Sequence, residues 1–185
     1  MIDQEELPNG ALALEGAAET PEVLALQVIE ALDLPAPAPR LSIVGNAYVG
    51  VPLWAWIDAG PDATGPIVAT ATAGASVVTA TGEVSRVRWE MGPPGEVVVC
   101  AGSGTPWTGQ AGESPDCGYT YVERSLPGRT GGSGAWSAVA TAVWTVSWSG
   151  VSAGVPVEGV EVVELSTVVE VPVGELQVLT VEGDG

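Results

Sequence analysis

An antiparallel β-sandwich preceded by one short helix is the fold this sequence predicts, and three observations carry that reading. In Val87-Arg88-Trp89-Glu90-Met91 apolar and charged residues alternate, the period-two signature of a strand with one wet face. Residues 138–148 are a long run rich in Val, Thr and Trp with no helix cap, a composition that suits a pleated sheet. Gly (25) and Pro (15) are plentiful among the 185 residues and fall between short apolar runs, where they act as turn signals. Hydrophobic content of 46% argues against disorder. The length allows one substantial core with a small appendage.

Residues 1–19 read as an acidic, Ala/Gly-rich lead-in, expected to be mobile. Thr20-Pro21-Glu22 then starts a helix: Thr as cap, Pro at the first helical position, an acid at the positive end of the dipole. Leu24, Val28 and Leu32, with Ala25 and Ile29 alongside, form an apolar stripe, so a helix is predicted over about 21–33. An isolated helix this short is marginal in water, and its stripe is expected to lie on the sandwich. Leu34-Pro35-Ala36-Pro37-Ala38-Pro39 stops it and continues as a stiff extended spacer, with a PxxP ligand as the functional alternative. The expected division is therefore an acidic arm over 1–40 and a sandwich domain over 41–185.

Within that domain, residues 50–58 place Trp54 and Trp56 on one strand face and Leu53, Ala55 and Ile57 on the other. Residues 67–73 and 76–81 read as a hairpin around Gly74. A strand over 84–91 follows Gly82, and another over 96–100 follows Gly92-Pro93-Pro94-Gly95. After a loop over 101–117 come a short strand over 118–122, a Gly-rich tip over 128–134 expected to be mobile, and the long strand over 135–149. Strands over 159–171 and 175–181, separated by Pro172-Val173-Gly174, complete a set of eight or nine, which fits two packed sheets.

Charge and missing residues narrow the function. With 23 acidic residues against 5 basic, all arginine, the formal charge is −18. Such a chain repels phosphate backbones and anionic lipid, so nucleic-acid binding is excluded as a class. No apolar run is long enough for a membrane-spanning helix. The charge serves solubility, with cation binding as the functional alternative. There is no His and no Lys. That removes His-activated nucleophiles, Lys Schiff bases, the phosphate-gripping lysine and histidine metal sites. The expectation is a chain that is not an enzyme, with no catalytic residue, no cofactor and no metal. Two readings run against it. A carbohydrate-binding module or carboxylate-dependent glycosidase would draw on the tryptophans and on Glu90, Glu96 and Asp116. Calcium would draw on Asp116, Glu113 or Glu123, without a D-x-D loop to hold it. The candidate interaction surface is Trp54, Trp56, Trp107 and Trp136, although alternating tryptophans in strands are more often core.

Cys100 and Cys117 lie seventeen positions apart in a Gly/Pro-rich segment, which fits one disulfide better than a metal site. Both sit at expected strand ends flanking one loop, and the bridge is worth about 3 kcal/mol in the chain-entropy model. Disulfides persist in oxidising compartments. Residues 1–6 have neither the basic start nor the apolar core of a secretory signal. Either a leader has been removed and Met1 is not the native start, or the protein is intracellular with two thiols; the first is the favoured expectation, which makes the protein secreted or at the cell surface.

A family resemblance rests on specific blocks. Trp89-Glu90-Met91-Gly92, Cys100, Ser114-Pro115-Asp116-Cys117-Gly118-Tyr119-Thr120-Tyr121 and residues 138–148 occur in an order that resembles a PKD-like domain. Residues 48–181 also resemble a group of actinobacterial exported proteins of unknown function. The shared features are Pro52–Trp56, the Met-Gly turn, the paired cysteines, Cys117–Tyr121, Trp144–Trp148 and Pro172–Gln177. At the turn, Gly92-Pro93-Pro94-Gly95 stands where Gly-Asp-Gly is usual in PKD-like domains. The resemblance implies an Ig-like sandwich, an exported setting and contact-making rather than catalysis. The expected role is a non-catalytic module for protein–protein interaction, adhesion or self-assembly, with carbohydrate as the other partner class.

Overall fold

The computed structural model describes residues 20–43 and 45–176; the lead-in expected over 1–19 lies outside them. In chain order the elements are α1 (Pro21–Glu30), β1 (Pro39–Leu41), β2 (Ala47–Tyr48), β3 (Pro52–Ile57), α2 (Pro61–Thr64), β4 (Ile67–Ala73), β5 (Ser76–Glu90), β6 (Val97–Ala101), β7 (Gly118–Thr120), β8 (Trp136–Ser152), β9 (Val155–Val171) and β10 (Val173–Gly174). The chain is mainly β, with antiparallel sheets and a short helix before them. The single turn of α2 adds to the one helix expected.

The large sheet has the order β4-β5-β8-β9, with β6 also on β5. Its long strands come from composition: β8 and β9 are each 17 residues, β8 dominated by Val, Ser, Ala, Trp and Thr and β9 by Val and Glu, with Ala153 and Gly154 at positive φ between them. Along β8 the even positions from Trp136 to Val146 are buried. On the same face of β5 lie Val78, Ala80, Val87 and Trp89, also buried. The alternation read at 87–91 is therefore real, with Arg86, Arg88 and Glu90 on the opposite, outer face. A bulge at Ser85 shifts the register between Val84 and Arg86, so that Val84 and Val87 both turn inward. The Ser85 hydroxyl donates to the Val143 carbonyl at 3.0 Å.

Two coverings share the inner face. Over one end lies the small sheet β1-β3-β7 with the parallel pair β2/β10. There Leu53, Ala55, Ile57 and Tyr121 meet Trp89, Ala140 and Trp144 in one apolar cluster. Over the other end lies α1. Leu24, Val28 and Leu32 pack on Val78, Ala80 and Val146, with Trp148 at the margin, so the stripe read from the sequence does face the sheet. The helix proper stops at Glu30, and the rest of the predicted span is a turn closed by Leu32 N–H on Ile29 C=O at 3.2 Å. Thr20 occupies the cap position but makes no side-chain capping hydrogen bond.

Several boundaries differ from the sequence reading, each for a nonlocal reason. Gly82 was expected to separate two strands; β5 runs through it. It is buried, and a Cβ there would lie 3.0 Å from Leu34 Cδ2, so the glycine admits the linker rather than making a turn. The proline-rich stretch is no detached spacer. Pro37 is buried, its carbonyl accepts from Thr167 Oγ1 at 2.7 Å, and Leu34 packs against both apolar clusters. The Gly-rich tip is folded on itself, with Gly132 N–H on Pro127 C=O at 2.8 Å and Ser125 Oγ donating to Gly134 C=O at 2.7 Å. Finally, β10 forms where a separator was expected, and most of the strand predicted over 175–181 lies outside the described residues.

Candidate functional site

The predicted aromatic surface is divided by the fold. Trp54 and Trp136 are only 6% and 5% exposed, so neither presents a ring to a partner. Trp54 is closed off from without: the 101–117 loop crosses it, and its Nε1–H donates to the Gly112 carbonyl at 2.8 Å. Trp56 is half-buried. Trp107, 36% exposed, sits on the loop with its Nε1–H on Gln110 C=O at 2.7 Å. Trp144 is wholly buried and Trp148 faces α1. The four surface candidates thus form no common platform.

The loop itself is better ordered than its glycines suggest. The Cys100–Cys117 disulfide closes its base with the Cα atoms 5.3 Å apart. Ile57 N–H on Ser103 C=O and Ala55 N–H on Cys117 C=O, both 2.9 Å, lay it along β3. The Asp116 carboxylate accepts from Thr105 N–H at 3.2 Å, Thr105 Oγ1 at 2.8 Å and Ser114 Oγ at 3.2 Å. Those bonds fold the loop onto its own stem. A cleft of about 390 Å³ beside it is lined by Leu53, Val98, Glu113, Asp116 and Tyr119 among others. Glu90 and Glu96 line a different, smaller hollow at the 92–95 turn, together with Ser137 and no tryptophan. The three carboxylates named for glycoside chemistry are therefore not gathered in one aromatic cleft. Glu123 pairs instead with Arg129, and no group of three or more Cys, Asp or Glu placed to hold a metal occurs among the described residues.

Two tyrosines mark the dry side of this region. Burial pushes the Tyr119 hydroxyl up to about 12, helped by the negative charge and hydrogen bond of Glu96 and the charge of Glu123. Tyr121 is raised further, mainly by burial and then by Tyr119. The two rings meet edge to face at 4.8 Å.

What the fold leaves open is the outer face of the large sheet and its β9 edge. Facing outward are Val68 on β4, Val77 on β5, Val97 and Val99 on β6, and Val160, Val162 and Val168 on β9, all exposed. Hydroxyls stand between them, and Thr70 Oγ1 bonds Thr79 Oγ1 at 3.0 Å. Arg88 reaches across β8 to Glu164 at 3.7 Å and also pairs with Glu90. Beneath that bridge Thr141 and Val143 are buried despite facing outward. A depression of about 580 Å³, lined by Thr79, Thr81, Ser147, Ser149, Glu158 and Val160 among others, crosses β5, β8 and β9. Sequence reading found the strand but not this surface. The signal was present, since valines occupy both alternating positions of 155–171, more than one dry face requires. Compared with known protein families, curated proteins and solved structures, the chain finds no match.

Proposed function

We propose that this chain is a non-catalytic extracellular or cell-surface module that works by protein–protein contact, in adhesion or assembly. The observation that carries the reading is the outer face of the large sheet, with valines exposed on β4, β5, β6 and β9 and no element over it among the described residues. Seven exposed valines on one uncovered sheet face, interleaved with hydroxyls and the Arg88 ion pairs, make a mixed apolar and polar surface of the kind that contact surfaces use. The Cys100–Cys117 bridge supports an oxidising, extracellular setting. The described residues hold no helix long and apolar enough to cross a membrane. Kinship with PKD-like, Ig-like domains and with exported proteins belongs to the same proposal, supported by the two-layer sheet packing.

The test is light scattering on the full chain, combined with affinity capture from the cell surface or medium that carries it. Wild-type chain is expected to self-associate or to retain a protein partner, and Val99→Glu with Val68→Glu is expected to weaken that association. A strictly monomeric chain that retains no protein would overturn the reading.

A further inference from the structure

We propose that the free edge of β9 is the docking site, and that its occupant is a cationic extended segment of another protein, added as a further antiparallel or parallel strand. The proposal rests on the interaction-module reading above and names its site and partner chemistry.

β9 pairs with β8 through 17 consecutive residue pairs with no register shift. Among the described residues nothing pairs with its other side. At about 3.3 Å per residue the open row of N–H and C=O groups is roughly 55 Å long. Edges are usually blunted by shortness, bulges, prolines or lysines. The other side of the sheet follows that rule: β4 and β6 have 7 and 5 residues, and Pro66 and Pro94 lie just before them. β9 is 17 residues long, with Pro156 near its start and Pro172 just past its end but none between Val157 and Val171.

Charge decides the occupant. β9 carries Glu158, Glu161, Glu164 and Glu170 and no basic residue. Only Glu164 is in an ion pair among the described residues. A second copy pairing edge to edge would bring two such strands and two −18 chains together, which like-charge repulsion opposes. The chain's own remaining segments fare no better. All five arginines, Arg40, Arg86, Arg88, Arg124 and Arg129, lie elsewhere, and residues 1–19 and 177–185 contain acids but no Lys or Arg. A foreign strand with Lys or Arg and β-branched residues together on one face satisfies both features. Its backbone takes the open ladder; because Glu158, Glu164 and Glu170 share the outer face of β9 with Val160, Val162 and Val168, its outward residues place cations beside those glutamates and apolar side chains beside those valines, 63%, 59% and 57% exposed.

The experiment uses the full disulfide-bonded chain and a synthetic peptide with arginine and valine together on one strand face and threonine on the other. Controls are the same peptide with glutamate for arginine and the same peptide N-methylated at alternate amides. Binding is read by fluorescence anisotropy and by hydrogen exchange of the 155–171 amides. The arginine peptide is expected to bind and to slow exchange along β9, and the glutamate peptide is not. N-methylation is expected to weaken binding roughly tenfold or more. Changing Glu158, Glu161, Glu164 and Glu170 together to Gln is expected to weaken it by roughly three- to tenfold, less at high salt. Circular dichroism verifies that this variant folds. Equal binding of the N-methylated peptide would reduce the effect to bulk charge attraction and overturn the proposal. So would protection at β4 or β6 instead, or light scattering that shows a dimer protecting β9 without peptide. If the peptide fails while outer-face valine substitutions still abolish association, the edge proposal falls and the interaction-module reading stands.

Discussion

Tyr121 lies wholly within the core, and its hydroxyl donates to the Met91 carbonyl at 2.9 Å. Met91 is itself fully buried, so removing the donor leaves a carbonyl that water does not reach. Tyr121→Phe is therefore expected to cost about 1–3 kcal/mol, measured as a lower urea midpoint with an unchanged slope. A midpoint equal to wild type would show that the bond contributes nothing net. The same burial makes the chain sensitive to alkali. Tyr119 is raised to about 12 in the folded state, against about 10 in an unfolded chain. Its contribution to stability is thus full below about pH 10 and lost as pH rises toward 12, because the unfolded chain gives up the proton first. The urea midpoint should fall across that window before tyrosinate absorbance appears in the folded protein. At this scale the sequence was readable where a residue's own strand decides its fate. Val87, Trp89 and Met91 are buried and Glu90 is exposed, as period two requires. Trp54 was not readable as core in this way, because what covers it is Gly112, 58 positions away.

Elements show the same division between local and distant causes. Hairpins closed by local turn chemistry, such as β4-β5 around Gly74, were legible, as were α1 and the paired cysteines at strand ends. The continuity of β5 through Gly82 was not, since the glycine's role depends on Leu34 passing over it. The 101–117 loop is the instructive element. Its glycines suggested a segment ordered only by the disulfide, yet β3, Trp54 and Asp116 also hold it. Replacing both cysteines by Ser is expected to lower stability by about 2–4 kcal/mol, and both sulfurs lie fully buried in the main apolar cluster. The loss should therefore appear as a lower midpoint for the whole molecule. Hydrogen exchange should still find the Ile57 amide, bonded to Ser103, protected at low denaturant. Intact mass with thiol labelling checks the premise: labelling of wild type without reductant would refute the bridge.

At the scale of the molecule, the feature least visible in the sequence is how two separate coverings share one sheet. Periodicity predicts that α1 has a dry stripe and that β3 has a dry face, but not that each covers a different end of the same strands. β5 and β8 run beneath both: Val78 and Val146 lie under the helix, while Trp89 and Ala140 lie under the small sheet. Leu34 touches both clusters. Because the strands are continuous, one end cannot lose its ladder without exposing the other end's apolar side chains, so the two clusters should unfold together. Leu24, fully buried against the sheet, offers the test. Leu24→Ala is expected to cost about 2–5 kcal/mol. Tryptophan fluorescence, measured in a Trp148→Phe background so that it reports mainly on Trp54, Trp89, Trp136 and Trp144 at the far end, should shift its midpoint as much as far-ultraviolet circular dichroism does. A helix that melts alone, leaving the fluorescence midpoint where it was, would show instead that α1 is an independently detachable cover on a sheet stable without it.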